Sequence, residues 1–209
     1  MRPSSLLATA LVALVLPTPA AASGDGDGLY GRFDHSTTLS IGAGGGVVRR
    51  ADTTAGTGLA DLRLRILGTG GPVVSGRWGP DAGQDLFVGV EVRPLFPSVF
   101  LQSMSTGHAW LDLFLQSLGV ELGAGFPLDG RGSIGFAWGL AMEVPLAMPG
   151  AVAEGLFLRL GARRVNLSRA YQLTPDDRNL SEWTAYATLA ITLGLGNRVA
   201  DWEPPRHRD

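Results

Sequence analysis

The stretch Ala60–Ile66, ADLRLRI, alternates strictly between apolar and charged residues. Successive side chains of a β-strand point to opposite faces, so this stretch predicts a strand with one apolar and one charged face. Leu86–Arg93 (LFVGVEVR) repeats the alternation, and so does Trp183–Gly196 (WTAYATLAITLGLG), where the second face is small or hydroxylic. Seven segments of the chain have this period of two, which favours an all-β fold built from two-faced strands.

Counting one shorter and weaker segment, the chain has eight predicted strands. Their ranges are 35–48, 59–67, 73–78, 85–93, 118–126, 133–144, 155–165 and 183–196. Glycine-rich or proline-containing turns separate them, as at residues 68–71 (GTGG). The segment 110–118 (WLDLFLQSL) has apolar residues at helical spacing and predicts a short amphipathic helix between strands 4 and 5.

An even number of strands of about ten alternating residues is typical of a membrane β-barrel. We therefore predict an eight-stranded antiparallel up-and-down transmembrane β-barrel. Its polar face is mostly Gly, Ala, Ser and Thr, whereas a water-facing surface is usually rich in charged residues. Aromatic residues near strand ends on the apolar face, Trp78, Phe126 and Trp183, are predicted to lie at the membrane interface. A soluble lipocalin-like barrel, which would bind a lipid or another ligand inside, is the alternative and would reverse the two faces.

The chain is predicted to divide into four segments. Residues 1–22 form a signal peptide, with Arg2 before the apolar residues 6–16 and a small-residue cleavage site at residues 20–22. Eleven apolar residues are too few to span a bilayer as a helix, which needs about 20. Residues 23–34 form a linker, residues 35–196 the barrel and residues 197–209 a polar tail.

The polar face of the predicted strands carries charges that would point into the barrel. These residues are Asp61, Arg63, Arg65, Arg77, Asp85, Glu91, Arg93, Glu121, Glu143, Arg159 and Arg163. Five acids and six arginines nearly balance, and an eight-stranded barrel is only wide enough for its own side chains. A sealed, mutually neutralised core is therefore expected, with a narrow ion path or a binding site as the alternative.

Folding the predicted hairpins gives specific pairs within this set. Asp61 is expected opposite Arg77, and Arg77 opposite Asp85, so that the three form one inward cluster. Glu143 and Arg159 are expected as diagonal neighbours in a second cluster. Pairing the first two strands is expected to place Arg63 and Arg65 beside Gly42 and Gly44, where glycine leaves room for a guanidinium group.

With these strands and faces, residues 30–196 resemble the small eight-stranded outer-membrane barrels of Gram-negative bacteria, the OmpA- and OmpX-type group. The resemblance rests on architecture, and the polar tail after Gly196 departs from the terminal aromatic residue common in that group. It implies an outer-membrane location, a monomer, and contact with membrane lipids, including lipopolysaccharide. The connections 49–58 and 166–181 are then expected outside the cell.

Other function classes have little support in the sequence. A net charge of −2 without a basic run argues against binding to nucleic acid. The chain has no cysteine and three scattered histidines, so we expect no metal and no cofactor. We find no G-x-S-x-G motif and no evident catalytic triad. We therefore expect a non-enzymatic protein with a structural role or with interactions through its extracellular loops; a lipid-modifying enzyme is the alternative.

Overall fold

A computed structural model of the chain describes residues 35–50, 53–96, 106–130, 134–148, 154–167 and 181–195. These ranges contain eight strands and the helix α1 (Ala109–Gln116). The strands are β1 (Thr37–Arg50), β2 (Thr53–Ile66), β3 (Gly70–Gly79), β4 (Gly83–Val92), β5 (Gly119–Pro127), β6 (Gly135–Ala147), β7 (Gly155–Leu167) and β8 (Glu182–Leu195). The predicted signal peptide, linker and polar tail lie outside the described residues.

Each strand pairs antiparallel with its neighbour in sequence, and β8 pairs with β1 to close the sheet. This closing pair runs from Thr37 opposite Leu195 to Arg50 opposite Glu182. The predicted closed, eight-stranded, up-and-down topology is confirmed, as is the helix between the fourth and fifth strands. We call the end of the barrel at Thr37 and Leu195 the terminal end, and the opposite end the distal end.

The first hairpin is longer and tighter than predicted. Residues 53–58 belong to β2 and pair with residues 45–50 of β1, so only residues 51–52 connect the two strands. The predicted loop at residues 49–58 is therefore wrong. Its Thr, Ala and Gly residues have a loop-like composition, but here they continue the hydrogen-bonded ladder. With this shorter turn Arg63 faces Ser40 and Arg65 faces Thr38, which corrects their expected placement beside Gly42 and Gly44.

The second hairpin also turns at a different point from the expected one. Leu67 and Gly68 have positive φ angles of 51° and 67°, and the Thr69 amide donates to the Ile66 carbonyl at 3.0 Å. The turn centres on Gly68, so Asp61 pairs with Ser75 in β3. Arg77 lies two residues further along β3, opposite Leu59, and the expected pairing of Asp61 with Arg77 is wrong.

The two faces of the barrel differ in chemistry. Outward positions carry large apolar side chains that are exposed, such as Ile41, Leu140 (58% exposed) and Leu189. Inward positions carry buried arginine, glutamate, aspartate, serine and threonine. The packed core of this protein is therefore the polar interior of the barrel. No helix within the described ranges is long and apolar enough to cross a membrane.

Candidate functional site: the charged lumen and the two barrel ends

All eleven charges predicted to face inward lie on the inner side of the barrel wall. Ten of them are buried, and Asp85 near the distal end keeps 20% of its side chain exposed. Burying a charge without a partner costs several kcal/mol, so the contacts of these groups decide whether the interior is stable. The structure divides them into two groups. One lies in the middle of the lumen and toward the terminal end, and the other lies at the distal end.

We call the first group the central network. It contains four carboxylates and five guanidinium groups, from Asp61, Glu91, Glu121 and Glu143 and from Arg63, Arg65, Arg93, Arg159 and Arg163.

Arg63 sits at one junction of the central network. Glu91 and Glu121 face each other directly across β4 and β5, an arrangement that is unfavourable for two like charges. The Arg63 guanidinium lies between them, 2.9 Å from the Glu91 carboxylate and 2.7 Å from the Glu121 carboxylate. Its Nε also donates to Asp61 at 2.8 Å. One cation thus links carboxylates from β2, β4 and β5.

Glu143 forms the second junction. Its carboxylate accepts hydrogen bonds from Arg65 at 2.5 Å, from Arg93 at 2.6 Å and from Arg159 at 2.6 Å. Glu143 lies directly opposite Arg159 in the β6–β7 register, so these two residues are nearer in register than the expected diagonal neighbours. Arg159 also pairs with Asp61, which connects the two junctions.

An apolar layer borders the central network on the side of the distal end. Phe87 packs with Val73, Ala137 and Val165 inside the barrel. The Arg163 guanidinium lies 3.8 Å from the centroid of the Phe87 ring while donating to Glu121 at 2.7 Å. The contact of the Arg163 guanidinium with the Phe87 ring therefore joins the central network to the apolar layer.

The distal cluster, which lies beyond this layer, consists of Arg50, Arg77, Asp85 and Glu182. Arg77 pairs with Asp85, its register partner, and with Glu182 at 2.7 Å. Arg50 also pairs with Glu182. Asp61 does not belong to this cluster, because the shifted β2–β3 register brings it to Arg63 and Arg159 in the central network.

Replacing Arg77 by leucine is expected to lower the free energy of unfolding by about 1–3 kcal/mol, because it removes a partner from two carboxylates. Arg50 remains as a partner for Glu182. Unfolding by urea in detergent micelles, followed by circular dichroism, measures the change. An unchanged urea midpoint would show that the ion pairs of Arg77 with Asp85 and Glu182 do not stabilise the barrel.

The helix α1 covers the terminal end of the lumen. Leu113 is buried there and lines a cavity of about 20 Å³ together with Arg65, Arg93 and Glu143. This volume has room for one water molecule. On the outer side, Trp110 donates its Nε1 hydrogen to the Pro145 carbonyl at 3.0 Å. The helix therefore closes one mouth with its inner face and leaves apolar side chains such as Trp110 exposed on its outer face.

Three residues were left out of the predicted charge network of the lumen. Glu182 and Arg50 complete the distal cluster, and the Tyr186 hydroxyl donates to Glu121 at 3.0 Å. The alternation of inward and outward side chains along β1 and β8 could have identified them. Glu182 and Tyr186 share the inward face with Thr184, and Arg50 shares it with Ser40.

The predicted interfacial aromatics lie on the outer wall near the distal end. Trp78 and Trp183 are exposed, and Phe126 is partly exposed. Trp138, four residues into β6, contacts Trp183 edge to face with ring centroids 5.5 Å apart. Since β6 and β7 place Trp138 opposite Arg164, and Arg164 lies opposite Trp183, the residue belongs to the same aromatic level.

The two histidines in the described ranges belong to separate segments of the chain. His35 lies 3.3 Å from Glu154 at the terminal end, and His108 is an exposed residue preceding α1. No group of three or more histidine, aspartate or glutamate side chains in the described ranges could hold a metal ion. His207 lies outside those ranges.

The fold and the lumen together define a closed eight-stranded barrel with buried charged side chains inside and exposed apolar side chains outside. No family model and no curated protein matches the chain. Among solved structures, neisserial surface protein A is similar with a TM-score of 0.40 and 13% identity over 75% of this chain and 96% of that one. Ail, the attachment invasion locus protein of Yersinia pestis, solved with the heparin analogue sucrose octasulfate, is similar with a TM-score of 0.36 and 10% identity over 75% and 97%. At these identities the likeness concerns the fold alone.

Proposed function

We propose that the protein is an integral barrel of a Gram-negative outer membrane, with lipid against its outer wall. The observation that carries this proposal is the exposure of large apolar side chains around the barrel. They include Ile41, Val47, Leu62, Ile66, Val74, Val88, Val90, Val92, Leu122, Phe136, Leu140, Leu189, Ile191, Leu193 and Leu195. Monomeric soluble proteins rarely expose contiguous apolar patches above a few hundred Å². A bilayer removes this surface from water.

The arrangement of the interior supports the membrane barrel over the soluble, lipocalin-like alternative. A lipocalin-like carrier needs an apolar cavity for its ligand, with polar side chains outside. Here the inner positions carry buried ion pairs, such as those of Arg63 and Glu143, and the outer positions are apolar. Closure of β1 on β8 leaves no unpaired strand edge, which fits a monomer in lipid.

With an even number of strands, the first and last strands begin and end on the same side of the membrane, which in such proteins is the periplasm. The helix α1 then lies at the periplasmic mouth, and the distal cluster of Arg50, Arg77, Asp85 and Glu182 lies at the outer mouth. Of the connections expected outside the cell, the first is reduced to the two residues between Arg50 of β1 and Thr53 of β2. The other expected connection, 166–181, begins within β7, and its residues 168–180 lie outside the described ranges.

Within this membrane the proposed role is structural and non-enzymatic, with interactions through membrane lipids and the exposed connections. Three features support it: the ion pairs of the central network, the apolar layer around Phe87, and the cover formed by α1. Together they fill the lumen with side chains, as expected for eight strands.

Cell fractionation and planar-bilayer recording test this function. We expect the protein in the outer-membrane fraction, migrating differently on gels before and after boiling, and no discrete conductance steps after insertion into a bilayer. Recovery as a soluble periplasmic monomer would overturn the membrane assignment. Discrete steps would overturn the sealed lumen, and release of fatty acid from lipid A or phospholipid would show that the protein is an enzyme.

A further inference from the structure

Two arginines and two tryptophans form a row on the outer wall at the distal end. Trp138 of β6 lies opposite Arg164 of β7, Arg164 opposite Trp183 of β8, and Trp183 opposite Arg49 of β1. Neighbouring strands are about 4.8 Å apart, so the backbones of Arg49 and Arg164 flank Trp183 at a separation of about 10 Å. We call these four residues the distal row.

The arginines of the distal row differ from those of the lumen in their partners. Each inward arginine, from Arg50 on β1 to Arg163 on β7, pairs with a carboxylate. Within the described ranges, Arg49 and Arg164 have no carboxylate partner. The Nε of Arg164 is shielded from solvent and also has no hydrogen-bond partner there. Among the residues that the structure describes, these two guanidinium groups therefore lack a counter-charge.

The aromatic rings position one of these guanidinium groups. The Arg164 Cζ lies 5.5 Å from the centroid of the Trp183 ring. Trp138 packs edge-on against the same ring, with centroids 5.5 Å apart. A cation over an aromatic face is attracted by the ring while its outer N–H groups stay available as donors. Arg164 is thus held beside Trp183, and its Nε donor has no partner among the described residues.

The depth of the distal row in the membrane follows from the same residues. An arginine on the lipid face costs about 2–4 kcal/mol at the bilayer midplane and about 0–1 kcal/mol near the interface. Tryptophan is enriched at the interface. In the proposed membrane barrel the row therefore lies at headgroup level, on the side opposite the terminal end. At this depth the anionic partners available to a guanidinium fork are lipid phosphates.

We propose that Arg49 and Arg164 bind the phosphates of an outer-leaflet glycolipid of the lipid A type. Two cationic side chains carried by strands two spacings apart fit a headgroup with two separate phosphates better than one with a single phosphate. Trp183, between them, contacts the sugar or the upper acyl chains. This inference rests on the proposed function, because it requires the barrel to cross the outer membrane with its distal end outward.

The test uses the full chain folded in zwitterionic detergent micelles and titrated with bisphosphorylated lipid A, with tryptophan fluorescence as the readout. Arg49→Gln and Arg164→Gln are each expected to weaken binding on the order of tenfold, and the double variant on the order of a hundredfold, because each removes a charge-assisted contact. Thr54→Ala is the matched control, since Thr54 is exposed directly across from Arg49 and carries no charge. Its affinity is expected to equal that of the unsubstituted protein.

Two further probes identify the ligand. Lipid A without its phosphates is expected to bind no better to the unsubstituted protein than to the double variant, and inorganic phosphate is expected not to compete at millimolar concentration. Equal affinity of the double variant for bisphosphorylated lipid A would overturn the inference, as would full competition by inorganic phosphate. Heat-modifiable migration verifies that each variant is folded. A chain that never forms a heat-modifiable barrel in micelles would instead overturn the proposed function itself.

Discussion

Replacing Glu143 by glutamine is expected to lower the free energy of unfolding by about 3–5 kcal/mol, the usual cost of removing one partner from a buried ion pair. The carboxylate of Glu143 accepts hydrogen bonds from Arg65, Arg93 and Arg159, all of which are buried. Glutamine has nearly the same shape, so the substitution removes charge without creating a cavity. Three guanidinium groups then lose the carboxylate that they share.

Urea unfolding in micelles, followed by circular dichroism, measures this loss. Glu154→Gln is the control, because Glu154 contacts His35 at the terminal end and keeps 29% of its side chain exposed. A partly exposed ion pair contributes about 0–1 kcal/mol, so the control is expected to change the midpoint little. Equal midpoints for Glu143→Gln and Glu154→Gln would show that the central network does not hold the barrel together.

Replacing Gly161 by valine is expected to destabilise the barrel by about 1–3 kcal/mol through overpacking. A Cβ at this position would overlap the ring of Tyr186, which crosses the lumen directly over Gly161. The Tyr186 ring cannot move aside freely, because it is buried and its hydroxyl bridges Glu121 and Arg63. The added side chain therefore disturbs the central network as well as the local packing.

Gly76→Val is the matched control for this substitution. Gly76 is also in the middle of a strand, but no heavy atom lies within 4 Å of the Cβ that would be added there. We expect near-normal stability for Gly76→Val, measured by the temperature at which the folded gel band disappears. If Gly161→Val melted at the same temperature as Gly76→Val, the close packing of Tyr186 on Gly161 would have no energetic importance.

The alternation of side chains predicted the strands and their faces well. In Ala60–Ile66 the charged positions could lie on only one face, and the structure places Asp61, Arg63 and Arg65 inside the barrel. The helix was likewise evident from the change of period, and it begins at Ala109, one residue before the prediction. Both features follow from local periodicity, which the chain carries in each segment independently.

Register and partners were predicted less well, because they depend on the centre of each turn. Moving the β2–β3 turn by one residue shifts every cross-strand partner by two, which separates Asp61 from Arg77. The tight β3–β4 turn was located correctly, so Arg77 and Asp85 face each other as expected. Contacts such as that of Arg63 with Glu121 cross the lumen between non-adjacent strands. No hairpin register alone could predict them.

If the barrel spans a membrane as proposed, the central network has a consequence for its insertion. Arg159 donates to Asp61 across 98 residues of sequence, and Arg63 donates to Tyr186 across 123. A hairpin inserted alone would bring these charges into the bilayer without their partners. The high contact order of the ion pairs therefore disfavours stepwise insertion and favours concerted assembly, in which closure of β1 on β8 and neutralisation of the interior occur in the same transition.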